Sequence, residues 1–187
     1  MGAGSDLTIG LQNGGFRYQY RPTDFDDWDS LHRLLTDCFA YMSERIDPPS
    51  SLDRMSPDDF RRMALEDGLV TVFRDDELIA CGFLAEREVS IYLGKLAVSQ
   101  AFRRRGILKA IITIAESVAV RRGKHWLELQ TRIELTENHR AFEALGFMRA
   151  RETAHPGYDR PTSVTMMKRV DTRGAHRLRI VPADRIR

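Results

Sequence analysis

An apolar run over residues 89–98 passes through a short basic turn, Arg103-Arg104-Arg105-Gly106, straight into an amphipathic helix pattern. The apolar positions of that helix are Ile107, Leu108, Ile111, Ile112, Ala115, Val118 and Ala119. A strand that feeds a helix directly calls for a sheet with helices packed on it, an α/β mixture. The same junction leaves the first amides of the helix without main-chain acceptors and pointing at the turn. With the helix dipole and three arginines they make an anion site whose natural occupant is a diphosphate. Gly106 allows a backbone conformation and a close approach that a side chain would obstruct. Neither a Walker loop nor a GxGxxG pattern accompanies the turn, so ATP and dinucleotides are weak candidates. The plainer alternative is a solvated basic turn.

The rest of the chain fits around this junction. Residues 1–15 hold five glycines and few large apolar groups, and read as a flexible lead. Phe16–Tyr20 alternates like a strand. Thr23 can cap a helix that carries Trp28, Leu31, Leu34, Leu35, Cys38 and Phe39 at helical spacing. Residues 43–55, with Pro48-Pro49-Ser50-Ser51, read as a loop. Ser56, Pro57 and Asp59 then signal a second helix start. Strands follow over 69–74, 78–86 and 89–98, with Asp75-Asp76-Glu77 as a hairpin turn. Past the long helix come a strand over 125–130, a short helix capped by Thr136, and strands over 147–152 and 163–170. The domain reads as 16–170, and 171–187 as a basic tail with five arginines against two aspartates.

Composition narrows the function classes. A chain of 187 residues with 42% hydrophobic and 30% charged residues is long enough for one domain with a full core. A net charge of +2 argues against nucleic acid as a general partner and against a membrane surface. No apolar stretch reaches the roughly 18 residues of a membrane span, and no signal peptide is recognisable. Cys38 and Cys81 stand apart in sequence, so a reducing cytoplasm is the expected location. His139 and His155 lack the clustered partners of a metal centre, and none is expected.

Residues 92–109, Tyr-Leu-Gly-Lys-Leu-Ala-Val-Ser-Gln-Ala-Phe-Arg-Arg-Arg-Gly-Ile-Leu-Lys, resemble motif A of the GNAT family of N-acetyltransferases. That motif reads (Gln/Arg)-x-x-Gly-x-(Gly/Ala) after a strand ending in Ala-Val. Arg103 and Gly106 match it, and Leu108 stands where Gly or Ala is expected. Asn138-His139-Arg140-Ala141-Phe142-Glu143-Ala144-Leu145-Gly146-Phe147 resembles motif B, and the element order over about 16–170 agrees. The resemblance implies the acyl-CoA N-acyltransferase fold, a mixed and mostly antiparallel sheet of six to seven strands flanked by about four helices. It implies acetyl-CoA as co-substrate, a primary amine on a small molecule or protein N-terminus as acceptor, and a homodimer. Carried over, the backbone of Leu96, Ala97 and Val98 pairs with the pantetheine arm. The amides of Arg104, Arg105, Gly106, Ile107, Leu108 and Lys109 cradle the pyrophosphate beside Arg103. Asn138 and Phe142 approach the same ligand from motif B.

Transfer from a thioester needs an unprotonated amine, a stabilised oxyanion and a proton for the departing thiolate. In the family a strand amide, here near Val98, serves the oxyanion, and a motif B tyrosine serves as acid. Phe142 occupies that tyrosine's place. Tyr158 and His139 are the stand-ins, unless the thiolate leaves unassisted, its thiol pKa being about 8.5. The family's glutamate base maps to Tyr92, while Glu86 and Glu88 lie slightly upstream and are candidates for the base or ordinary turn charges. Asp24, Asp26, Asp27 and Asp29 either attract a cationic amine or serve a helix dipole. Thr131 and Arg132 stand where the acceptor is expected to enter, and an arginine there suits a carboxylate. A CoA-binding regulatory or catalytically degenerate module is the rival reading, since Phe142 lacks a hydroxyl.

Overall fold

The structure, a computed structural model, describes residues 9–170. One eight-stranded sheet runs through it in the order β1-β2-β3-β4-β5-β6-β8-β7. Its strands are β1 (Ile9–Asn13), β2 (Phe16–Tyr20), β3 (Gly68–Arg74), β4 (Glu77–Glu86), β5 (Ser90–Val98), β6 (Trp126–Arg132), β7 (Met148–Thr153) and β8 (Ser163–Arg169). Every neighbouring pair is antiparallel except β5 and β6, which run parallel. The helices are α1 (Trp28–Phe39), α2 (Pro57–Glu66), α3 (Ile107–Arg121) and α4 (Thr136–Ala144).

The sheet carries one strand more than expected, because Ile9–Asn13 belongs to it rather than to a flexible lead. Gly14 and Gly15, with φ of 60° and 76°, close a two-residue hairpin that joins Asn13 to Phe16. Two positive φ values in succession match the right-handed twist of the flanking strands, which is why glycines stand there. The remainder of the lead and the tail 171–187 lie outside the described residues.

Two apolar layers sandwich the sheet. On one face α3 buries Ile107, Ile111, Ile114 and Ala115 against Ile79, Leu93, Leu127 and Val164. On the other, α1 and α2 bury Leu31, Leu35 and Phe60 against Leu69, Cys81, Phe83 and Ala97. Alternation along the strands distributes side chains between the two layers. Helix α1 starts at Trp28 rather than after Thr23: the Asp27 carboxylate accepts the Ser30 amide at 3.1 Å. Phe25 packs edge-on against Trp28, ring centres 4.8 Å apart, and reaches Phe73 on β3. That contact holds residues 24–27 against the sheet, outside the helix. At α2 the expected start is present in full, with Ser56 and Asp59 capping each other's amides. Thr136 is the first residue of α4 and not its cap.

Candidate functional site

The parallel pair β5–β6 holds only from Ser90 opposite Trp126 to Leu93 opposite Leu129. Beyond it the strands part: β5 follows β4, with Ala97 opposite Cys81, and β6 follows β8, with Arg132 opposite Ser163. A bulge drives the divergence. Lys95 and Leu96 together face Gly82, and Lys95 adopts φ of 50°. A Cβ on Gly82 would lie 2.7 Å from the Leu96 side chain, so glycine is what admits the bulge. The fork leaves two inner strand edges with unpaired backbone groups, a template for an extended ligand. It opens into a cavity of about 1550 Å³.

Leu93, Leu96 and Val98 turn toward the α3 layer, whereas Ala97 turns toward α1 and α2. The fork therefore joins two faces of the sheet, and the two sides of the cavity differ. On the α3 side, Arg104 and Gly106 adopt φ of 60° and 80° and shape the turn into α3. The first main-chain bond into α3 runs from the Ala110 amide to the Gly106 carbonyl at 3.0 Å. The amides of 107–109 therefore lack helical acceptors and face the turn. Nothing lies within 4 Å of a Cβ built on Gly106. Its requirement is conformational, and the space is open. The Arg103 Nε donates to the Val98 carbonyl at 3.3 Å, which ties the turn to the end of β5.

Arg103, Arg104, Gly106, Ile107, Leu108 and Lys109 line the cavity, as do Leu96, Ala97 and Val98. Arg105 does not: its guanidinium lies 5.4 Å from the Phe102 ring centre, so only its backbone remains for an anion. Asn138 lines the cavity and donates to the Tyr41 hydroxyl at 3.0 Å, which ties α4 to the segment after α1. Phe142 also lines it, packed edge-on against Phe147. A phosphate-bearing ligand with an extended arm fits this side: free amides, cationic side chains and an open strand edge lie in sequence along it.

The candidate acid–base groups divide sharply. Glu86 and Glu88 are away from the cavity, at the closed end of the β4–β5 hairpin. Glu86 pairs with Ile91, seven residues before Val98, about 23 Å along the strand. Its carboxylate binds Lys124 at 3.1 Å and Arg122 at 3.7 Å, and the Glu88 carbonyl accepts from Lys124. Glu86 ends β4 and Glu88 lies in the turn that follows. His139 is buried outside the cavity, its Nε2 on the Arg132 carbonyl at 2.9 Å and its Nδ1 accepting from Arg149 at 2.7 Å. Those partners occupy both ring nitrogens and tie α4 to the end of β6 and to β7.

Tyr92 does line the cavity. Burial raises its phenol pKa, although Arg87, 3.9 Å from the ring centre, acts the other way. Tyr158 lines it too, but its hydroxyl donates to Asp47 at 2.5 Å, a bond that also raises its pKa. Thr131 and Arg132 line the cavity. Arg132, however, is already employed: it donates to the Pro48 carbonyl at 2.6 Å and contacts His155 Nε2 at 3.3 Å.

Three groups on this side escaped the sequence reading. His155 lines the cavity, and its pKa is lowered first by burial and then by Arg132. With Nε2 accepting from Arg132, its proton sits on Nδ1, 2.6 Å from the Thr162 hydroxyl. Cys38 contributes a thiol whose pKa burial pushes up despite nearby Arg103. Lys95 reaches across to the Ser51 hydroxyl at 3.2 Å, its pKa lowered by burial and opposed by the field of Asp53. The available signal for Lys95 was a charge interrupting an apolar strand run.

The model of the acetyltransferase (GNAT) family matches residues 28–147. A search of functionally curated proteins found no match. Among solved structures, the PaiA N-acetyltransferase of Thermoplasma acidophilum in complex with coenzyme A is similar at a TM-score of 0.68 and 14% identity, covering 81% of this chain and 98% of that one. A GNAT family acetyltransferase of Elizabethkingia anophelis with acetyl-CoA bound gives 0.58 and 13%, covering 84% and 99%. The ribosomal-protein-S18-alanine N-acetyltransferase of Escherichia coli gives 0.54 and 18%, covering 79% and 91%. At these identities the structures share the fold, while the family model, spanning more than half the sequence, reaches both motifs: the chain belongs to the GNAT acetyltransferase family.

Proposed function

We propose that the protein transfers an acetyl group from acetyl-CoA to a primary amine of a small molecule or a protein N-terminus. The observation that carries this reading is the fork itself, with the anion-binding turn and free helix amides on one face and a cavity opening through the sheet to the other. Acetyl-CoA supplies an activated thioester. The turn from Arg103 to Lys109 holds its phosphates, and the inner edge of β5 aligns its arm. The acceptor approaches from the α1–α2 face, between residues 46–54 and 155–158.

Among the described residues, no side chain on that face is set up as a strong base. Tyr92 is held protonated by burial, the Tyr158 hydroxyl is committed to Asp47, and His155 presents its Nε2 to Arg132. Attack by an already neutral amine follows, with the rate rising with pH through the amine's own titration. Phe142 cannot protonate the leaving thiolate, which departs as such, its thiol pKa being about 8.5.

Calorimetric titration with acetyl-CoA, followed by free-thiol release across a panel of amines, tests this. Acceptor-dependent release is the expected result; failure to bind acetyl-CoA would overturn it. Phe142 favours a second reading, a CoA-binding regulatory module, which predicts binding without release for every amine.

A further inference from the structure

The acceptor side holds an arrangement that the transfer reaction alone does not require. Lys95 on β5 and Arg132 on β6 stand two and three residues past the last paired position of the fork, one on each leg. Both reach the same short segment: Lys95 donates to the Ser51 hydroxyl, and Arg132 to the Pro48 carbonyl. Pro48 and Ser51 are three residues apart, so their Cα atoms lie within about 11 Å. Residues 48–51 thus bridge the mouth of the fork, with one cation anchored near each end.

Among the described residues, neither cation has a close carboxylate partner: the nearest ion pair, Arg132 with Glu134, spans 3.9 Å. Lys95 has one neutral hydroxyl as its hydrogen-bond partner and forms no ion pair with a carboxylate among the described residues, although it is partly buried. Arg132 meets a carbonyl, an imidazole and, at 3.9 Å, Glu134, which leaves guanidinium N–H groups over. Asp53 acts on Lys95 only through its field, while Asp47 binds Arg160 and Tyr158, and Glu137 binds Arg45. A partly buried ammonium with no carboxylate in direct contact is costly unless something anionic completes it.

We propose that the fork's acceptor side recognises a carboxylate, so that the substrate class is an amine bearing a carboxylate within a few bonds, as in a free amino acid. Lys95 supplies the point charge and Arg132 the second arm. The same cations lower the pKa of an ammonium held beside them, which favours the neutral amine that attacks. Diamines and polyamines, which bring a second positive charge, are disfavoured by the same field. This inference rests on the acetyltransferase reading, and its test separates the two.

Thiol release from acetyl-CoA is measured for the common amino acids, their carboxamides, their decarboxylated amines, and putrescine. The expected result is at least one amino acid with kcat/KM about tenfold or more above its own carboxamide and amine. Lys95→Met raises that KM by about tenfold and leaves the acetyl-CoA dissociation constant within about twofold, which also reports an intact fold. Equal or better turnover of the amides, amines or putrescine overturns the proposal while upholding the enzyme. In parallel, the CoA-loaded protein is titrated calorimetrically with the N-acetylated amino acids and N-acetylated amines. If no amine of the panel releases thiol, the transferase reading fails for small-molecule acceptors. Carboxylate-selective binding in the titration then still supports the site, and its absence overturns it.

Discussion

On the proposed reading, the two sides of the fork bind by different physics. On the α3 side the recognising atoms belong mainly to the main chain: amides at the start of α3 and the open edge of β5. The remaining residues there shape the turn through the backbone, as with Gly106 at φ of 80°, or add charge, as with Arg103 and Lys109. On the α1–α2 side the polar surface is made of side chains from four separate segments, including Lys95, Arg132, His155 and Tyr158. A backbone site of the first kind is indifferent to most substitutions. A side-chain site of the second kind changes ligand with one residue. The comparison places the donor's requirements in the fold and the acceptor's identity in a few long-range contacts.

Gly106→Val breaks the first side at a position whose left-handed φ of 80° shapes the turn. A β-branched residue is strained at this φ even though its Cβ would meet nothing within 4 Å. Roughly 1–3 kcal/mol of strain, if relieved by moving the turn, weakens acetyl-CoA by about 10- to 100-fold. Gly106→Asn, whose side chain tolerates the left-handed region, loses far less. Calorimetric titration of both variants checks this. Equal losses for Val and Asn would mean that bulk, not backbone conformation, governs the site.

The contrast also explains what could be read from the sequence. The turn proposed to hold the anion occupies consecutive residues, 103–109, so a strand pattern, a glycine and a helix pattern are enough to single it out. The acceptor side depends on contacts such as Arg132 to Pro48, 84 residues apart, and Tyr158 to Asp47, 111 apart. Nothing in local spacing encodes those pairs. Glu86 and Glu88 drew attention as carboxylates near the right strand, yet the hairpin register carries them to its closed end. The additional strand β1 is hard to read from sequence because Gly14-Gly15 suits a flexible lead as well as the tight hairpin turn that the structure shows.

Arg132→Met breaks the second side and leaves the first alone. It removes the bond to Pro48 and the donor to His155, so residues 46–54 lose their tie to β6. The acceptor KM is expected to rise about tenfold and the acetyl-CoA dissociation constant to stay within about twofold. A pH signature accompanies it. In the wild type His155 is depressed below its ordinary pKa by burial and by Arg132, so the fold prefers it neutral. The unfolded chain takes the proton first as pH falls below about 6.5, and this contribution to stability is then lost. Thermal unfolding across pH 5–7 should show a shallower decline in the variant. An unchanged slope would mean that Arg132 does not govern that ring.

Phe142→Tyr should have the smallest effect, and its size discriminates between two accounts of the leaving group. Phe142 lines the cavity from α4, its ring 5.9 Å from that of Phe147, so a para hydroxyl adds a donor without removing the packing surface. If the thiolate departs unassisted, an added donor changes kcat by less than about threefold near pH 8, where a thiol of pKa about 8.5 is already a capable leaving group. The gain grows at lower pH, because protonation then contributes more to the departure. A gain of about 100-fold, the lower range for general acid catalysis, would mean that thiolate departure limits the wild type and that Phe142 withholds activity rather than merely lacking a role. Rapid-mixing measurement of thiol release with a saturating acceptor reads the difference directly, since the substitution leaves the α1–α2 face and its cations untouched.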